Sequence, residues 1–272
     1  MIFLRIVEKN NTKYIAFDIF NDIDFLTHGI STKVGGVSKG HYAEMNLGFL
    51  NGDNKVDVLE NYKIISDAIG FDYKNIVLTK QEHENNVMIV DESHKGNGVT
   101  KENIFKNIDG LVTNKKNIVL GCYSADCVLM FFADKVKKVI GVCHAGWRGT
   151  VLKIPFEVVK IMINNYNTNV EDLIVGIAPS ICRKHFEVDY PCYAEFKNAF
   201  DFIDEYTIYK SEKEKYYIDL HAINKRVLTD CGVSENNIEL PNLCTVCNND
   251  IFHSHRISGT KRGLSGGFLE IK

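Results

Sequence analysis

GVCHAGWRGT, residues Gly141–Thr150, follows the apolar run KVKKVI and ends it on Cys-His. The chain then breaks into small residues around its only Trp. A buried strand that stops on such side chains and passes into a loop is a place where α/β proteins build sites. Working outward, TVLKIPFEVVKIMINNY has the spacing of an amphipathic helix, with Pro155 near its first turns. LIVGIAPSIC reads as a strand entering a loop, and PCYAEFKNAF as a helix. YYIDLHAINKRVLTDCGV reads as a short strand and then a helix closed by Gly232. On the N-terminal side, MIFLRIV and KYIAFDIF predict a hairpin, followed by the glycine-rich loop STKVGGVSKGHYAEMNLG. VDVLENYKIISDAIG carries Val58, Tyr62, Ile65 and Ala68 at helical spacing. NIVLTKQEH is a strand running into polar residues, and GLVTN and IVLGCYSADCVLMFFAD are strands with a turn between them. IELPNLCTVC, IFHSHRISG and GGFLEIK close the chain as strand-like pieces. This order predicts an α/β protein: a single-domain α/β/α sandwich around a mixed β-sheet, spanning residues 1–272.

Composition narrows the function classes. With 272 residues, 45% hydrophobic and 25% charged, the chain can bury a full core. A net charge of -3 gives no basic excess for nucleic acid. The apolar runs are too short to span a membrane. MIFLRIVEKNNTKYIAF lacks the basic start, long apolar core and cleavage site of a secretion signal. A cytoplasmic, monomeric protein is therefore expected. Eight cysteines in such a chain read as thiols or ligands rather than a disulfide framework.

Three apolar runs deliver metal-competent side chains at or near a polar break. NIVLTKQEH ends on His83, GCYSADC carries Asp126 and Cys127, and VIGVCH ends on His144. Two imidazoles and a thiolate suit Zn²⁺, and three protein ligands leave a fourth tetrahedral position for water or substrate. Their separation in sequence carries no information. By residue type alone, Cys127 and Cys143 also read as core residues and His83 as a surface histidine.

The wider wording bears on that choice. TKQEH, SADC and CHAGWRGT together resemble the YfiH-like family, also called laccase-domain or polyphenol oxidase proteins. STKVGGVSKGHYAEMNLG, GDNKVDVLENYKII, IAPSICRKHFEV, YYIDLHAIN and SHRISGTKRG follow in the family's order and cover nearly the whole chain. The resemblance implies that His83, Cys127 and His144 hold a metal, taken here as zinc. It also implies purine nucleoside chemistry: phosphorolysis of adenosine, inosine and methylthioadenosine, and deamination of adenosine. Deamination is physically reasonable, since zinc lowers the pKa of water that attacks C6 of adenine. The alternative is oxidation of phenols by copper, for which the family was first named. Several coppers held by imidazole need many histidines, largely in His-x-His pairs. The chain has nine histidines and one such pair, His253-Ser254-His255, so only single-site copper binding in vitro is expected. A third reading, from another class, is a metal-binding accessory protein that acts on cell-wall or division factors without turnover.

Phosphorolysis also needs an anion site. Lys33, Arg148, Arg256 and Arg262 are the candidate cations, with the N–H groups around Gly35 and Gly36. Asn46 is either a hydrogen-bond partner of ribose or base, or a turn-stabilising residue. Gln81 shares a strand face with His83 if the strand continues, and would orient ligand or substrate. Asp126 is either a partner for a ligand histidine or a general base. Trp147 either walls a base pocket or packs in the core.

Four departures from the family wording stand out. Lys33 replaces an Arg, and Lys184-His185 replaces a pair of adjacent cysteines. TKRG replaces a Thr-Gly-Arg element, and His255 replaces a tyrosine. Cys244-Thr-Val-Cys247 has half the spacing of a structural zinc site, with His253 and His255 as a second half on paper. Alternation along an expected strand separates the two cysteines, so no second metal site is expected here.

Overall fold

The computed structural model describes residues 5–241 and 243–272. Its strands run in chain order as β1 (Arg5–Lys9), β2 (Thr12–Ala16), β3 (Leu26–Ser31), β4 (Ile76–Leu78) and β5 (Val87–Ile89). Next come β6 (Gly110–Thr113), β7 (Val119–Ser124), β8 (Val128–Asp134), β9 (Val139–Ala145) and β10 (Leu173–Ile177). The last are β11 (Glu187–Val188), β12 (Thr207–Lys210), β13 (Lys215–Ile218), β14 (Ile238–Glu239) and β15 (Ser265–Ile271). The α-helices are α1 (Lys55–Ile69), α2 (Trp147–Val151), α3 (Ile154–Tyr166), α4 (Tyr190–Ala199), α5 (Leu220–Asp230) and α6 (His255–Ser258).

The α/β class and the outer helices match the sequence reading, but the sheet between the helices is doubled. One six-stranded mixed sheet has the order β1-β2-β3-β15-β7-β4, and the other has the order β14-β10-β8-β9-β6-β5. A three-stranded sheet, β11-β13-β12, lies apart from both. Phe17, Leu120 and Leu269 of the first sheet's segments pack with Leu129, Phe131 and Val142 of the second. The helix α1 covers the first sheet's other face through Val58, Tyr62 and Ile65. The helices α3 and α5 cover the second sheet through Val158, Met162 and Ile223. β8 explains why sequence pattern could not count the layers. Val128, Met130 and Phe132 face the helices, while Leu129, Phe131 and Ala133 face the other sheet. Both faces are buried, so the strand reads as one continuous apolar run.

Local boundaries follow the backbone chemistry. The β1–β2 turn places Asn10 and Asn11 at φ 52° and 62°, as a tight hairpin requires. The expected strand residues 1–4 lie outside the described residues. The helix expected from Thr150 onward is two helices, because Lys153 takes a left-handed φ of 58° ahead of Pro155. Three expected strands change character. Ile76–Leu78 stops well before His83, and Ser254 caps a short helix instead of continuing IFHSHRISG as a strand. In IELPNLCTVC only Ile238–Glu239 is a strand, and Cys244–Cys247 forms a turn whose one sheet-like contact pairs Cys244 with Ser180. Asn242 lies outside the described residues. No helix among the described residues is long and apolar enough to cross a membrane.

Glu270 on β15 is buried, and burial pushes its carboxyl from 4.5 up to about 7, with Lys272 and Lys95 offsetting part of the effect. The unfolded chain releases this proton first. Stability therefore falls as pH rises from about 4.5 to about 7 and stays lowered above that. Glu270→Gln should stabilise the protein by about 1–3 kcal/mol above neutrality. Its Tm should converge with that of the wild type below about pH 4.5. Thermal unfolding across that range is the measurement.

Candidate metal centre and its cavity

The three expected ligands meet where the two large sheets are stitched together. His83 follows β4 of the first sheet, and His144 lies on β9 of the second. Cys127 sits where the chain crosses from β7 of one sheet to β8 of the other. One donor atom from each lies within 4.8 Å of the others, and the two imidazole rings stand 4.9 Å apart at 80°. Gly146 makes this crowding feasible. A Cβ there would stand 2.7 Å from His83 Cδ2 and 3.2 Å from Cys127 Sγ.

Asp109 organises the cluster, and sequence reading missed it. Its carboxylate is fully buried and lies 2.8 Å from His144 Nδ1. The same carboxylate accepts the backbone N–H groups of Glu82, His83 and Glu84 at 2.9, 3.2 and 3.1 Å. Three successive amides converging on one anion need a nest-like backbone, which accounts for the left-handed φ of 65° at His83. Burial would raise the Asp109 pKa, but the His144 bond and the amides of Glu82 and Glu84 hold it below the usual value. Binding Nδ1 in this way leaves His144 Nε2 for a metal and fixes the ring's orientation.

The donors are electrostatically prepared. Burial pushes the Cys127 thiol up, but His144 and His83 outweigh it and bring it to about 6. Burial pushes His144 down, but the Cys127 thiolate and Asp109 raise it to about 9. Two nitrogens, one thiolate, a backing carboxylate and a glycine that leaves room are a donor set suited to a zinc-like ion with one open position.

A cavity of about 770 Å³ opens on this cluster, lined by His83, Cys127, Trp147, Arg148, Arg256 and Arg262, among others. Apolar Ile181, Phe186 and Val188 form part of its wall. Trp147 lines the cavity and also packs 6.3 Å from Phe196 on the core side. The Arg148 guanidinium lies 4.2 Å from the Trp147 ring centre. Arg256 donates both terminal nitrogens to Glu187 O at 3.2 Å. Arg262 Nε is buried without a protein partner. His255, which stands where the family wording has a tyrosine, also faces the cavity, with Nδ1 3.0 Å from Gly259 O.

Several expected contacts lie elsewhere. Asp126 touches the cavity but partners no histidine. It accepts from Thr245 Oγ1 at 2.5 Å, Ser254 Oγ at 3.0 Å and Arg256 N at 2.6 Å, so it ties loops together. Gln81 is absent from the cavity wall because the strand does not continue. Its amide clasps Tyr123 N and O at 2.9 and 2.8 Å. Asn46 is fully buried; it donates to Asp53 and accepts from Gly48, Asn51 and Leu264, which is the turn-stabilising role. Lys33 bonds Asn249 O and lines an adjoining cavity that shares Arg262. The Gly35 N–H donates to Glu44 at 2.7 Å and is not free for phosphate.

Two substitutions test this geometry. Asp109→Asn should weaken metal binding by about 10–100-fold while the protein stays folded. Gly146→Ala, which has no φ strain at −60°, should weaken it by crowding His83 and Cys127. Competitive chelator titration monitored beside circular dichroism measures both. Unchanged affinity in the two variants would contradict the arrangement.

Comparison with known proteins agrees with the fold. The model of the family described as multi-copper polyphenol oxidoreductase laccase matches residues 27–272. Purine nucleoside phosphorylase YlmD of Bacillus subtilis is 34% identical, over 90% of this chain and 88% of that protein. Adenosine deaminase RL5, from an unknown prokaryotic organism, is 32% identical over 82% of this chain and 85% of its own. The crystal structure of Bacillus licheniformis YfiH superposes with a TM-score of 0.92 at 28% identity, covering 99% of each chain. With its ordered motifs, its doubled sheet and its His-Cys-His cluster, this chain is an enzyme and belongs to the YfiH-like laccase-domain family.

Proposed function

We infer that this chain, acting as one catalytic domain, is a zinc-dependent purine nucleoside phosphorylase that also deaminates adenosine. The observation that carries this reading is a single cavity joining a three-donor metal cluster to Arg148, Arg256 and Arg262. The names of the B. subtilis and RL5 relatives support the two activities. His83, Cys127 and His144 would hold the metal, which supplies Lewis-acid activation when bound.

The chain's own residues account for the rest. Phosphate carries two negative charges, and guanidinium groups on the cavity wall match it with charge-assisted, directional bonds. Arg262 also lines the cavity, with its guanidinium anchored through Nη1 on Gly259 O at 3.1 Å. Arg256 is held by Glu187 and, through its backbone, by Asp126, so its position is preset. Phosphorolysis breaks the bond from ribose C1′ to the purine nitrogen and forms one from C1′ to a phosphate oxygen, while a proton reaches the departing base. Trp147 and Phe186 supply apolar surface against which a purine can stack. Deamination replaces the amine at C6 with oxygen from water and releases ammonia. His255, tied through Nδ1, keeps Nε2 for proton transfer in the cavity. Asn46, Gln81 and Lys33 act from outside the cavity wall, holding the loops around it.

Adenosine incubated with and without phosphate, followed by product separation, tests this function. Adenine should appear only with phosphate, and inosine should appear without it. His83→Ala and Cys127→Ala should abolish both products in folded protein. Arg148→Ala and Arg256→Ala should raise KM for phosphate by about 10–100-fold with inosine formation little changed. Phenol oxidation by the copper-loaded protein with no nucleoside product would replace this reading with the oxidase. Metal binding with neither activity would replace it with the accessory protein.

A further inference from the structure

The Cys-x-x-Cys pair outside the cavity has a second half after all. Cys182 and His185 from the loop after β10 meet Cys244 and Cys247, and one donor atom from each lies within 4.8 Å of the others. His185 Nδ1 lies 3.4 Å from Cys182 Sγ, 3.7 Å from Cys244 Sγ and 3.5 Å from Cys247 Sγ. A ring nitrogen has one proton or one lone pair, so hydrogen bonding accounts for at most one of three such neighbours. A tetrahedral ion accounts for all three. With zinc–sulfur near 2.3 Å and zinc–nitrogen near 2.0 Å, its sulfur–nitrogen edges measure about 3.5 Å. The spacing is that of paired knuckles, Cys-x2-His and Cys-x2-Cys. The Cys182 N–H also donates to Cys244 Sγ at 3.3 Å, the kind of bond that stabilises a thiolate.

We propose that Cys182, His185, Cys244 and Cys247 form a second, closed zinc site with a structural role, distinct from the His83–Cys127–His144 cluster. The site clamps two loops that together build the cavity. The first carries Ile181, Phe186 and Val188 of its wall. In the second, Thr245 bonds Asp126, the residue beside Cys127, and the chain runs on to Ser254 and Arg256, which bond the same carboxylate. The backbone already joins the two loops at Ser180–Cys244, and Thr245 N donates to Ser180 O at 3.1 Å. Four ligands from the chain leave no open position, so this ion stabilises and does not react.

The experiment is zinc counting on full-length protein purified under reducing conditions. Wild type should carry about two zinc ions per chain. A His83→Ala/Cys127→Ala variant should keep about one, and its cobalt form should show the intense sulfur-to-metal charge transfer of a three-thiolate site. A Cys182→Ser/Cys247→Ser variant should also keep about one, with the weaker single-thiolate signature and a lower Tm. Should that variant fail to fold, alkylation of the wild type answers the same question. Cys247 is exposed and Cys182 half-buried, and both should react after chelation and be protected by zinc. One zinc in the wild type and none after loss of His83 and Cys127 would overturn the proposal. So would a disulfide among these cysteines in the reduced preparation, or alkylation indifferent to zinc. The nucleoside assay reads only the other cluster, so failure of either reading leaves the other standing.

Discussion

A single buried carboxylate holds the candidate centre together. Asp109 bonds the ring of His144 and three consecutive amides around His83. It thereby couples a strand of one sheet to a loop leaving the other. A buried carboxylate is costly unless its lone pairs are filled, and here four N–H donors fill them. The same bonds set the ring orientation of one ligand and the strained backbone of another. The geometry of the metal cluster is therefore a property of the sheet pairing. β6 and β9 pair Gly110 with Cys143, and His144 N donates to Asp109 O at 2.8 Å, which brings the two side chains together.

The three candidate ligands were legible from the wording around them, TKQEH, SADC and CHAGWRGT, because residue type alone left Cys127 as a core residue and His83 as a surface histidine. Asp109 was illegible. It precedes an ordinary strand, 35 positions before its imidazole partner, and only the β6–β9 register joins them. Asp126, beside Cys127 in sequence, looked like the natural partner, yet its φ of 89° turns its carboxylate toward Thr245 and Ser254. The helices were legible from their period, and the α/β class from their alternation with strands. The second sheet was hidden because β8 and β9 are buried on both faces, and a two-residue period carries no sign of what covers each face. Cys182 and His185 went unpaired with Cys244 and Cys247 for the same reason: a contact across about sixty residues belongs to the fold, not the local pattern.

The cavity divides its labour by chemistry. Its floor carries soft and imidazole donors, its walls carry Trp147 and Phe186, and its remaining polar lining is rich in guanidinium. Such a lining suits a ligand with one flat apolar part and one anionic part better than it suits a simple phenol.

Zinc-edge anomalous diffraction from crystals grown with a purine nucleoside and phosphate tests this account most directly. The account predicts a metal peak among His83, Cys127 and His144, with the purine against Trp147 and phosphate at the arginines. Zinc missing from those three donors, or a nucleoside bound away from that cavity, would contradict it.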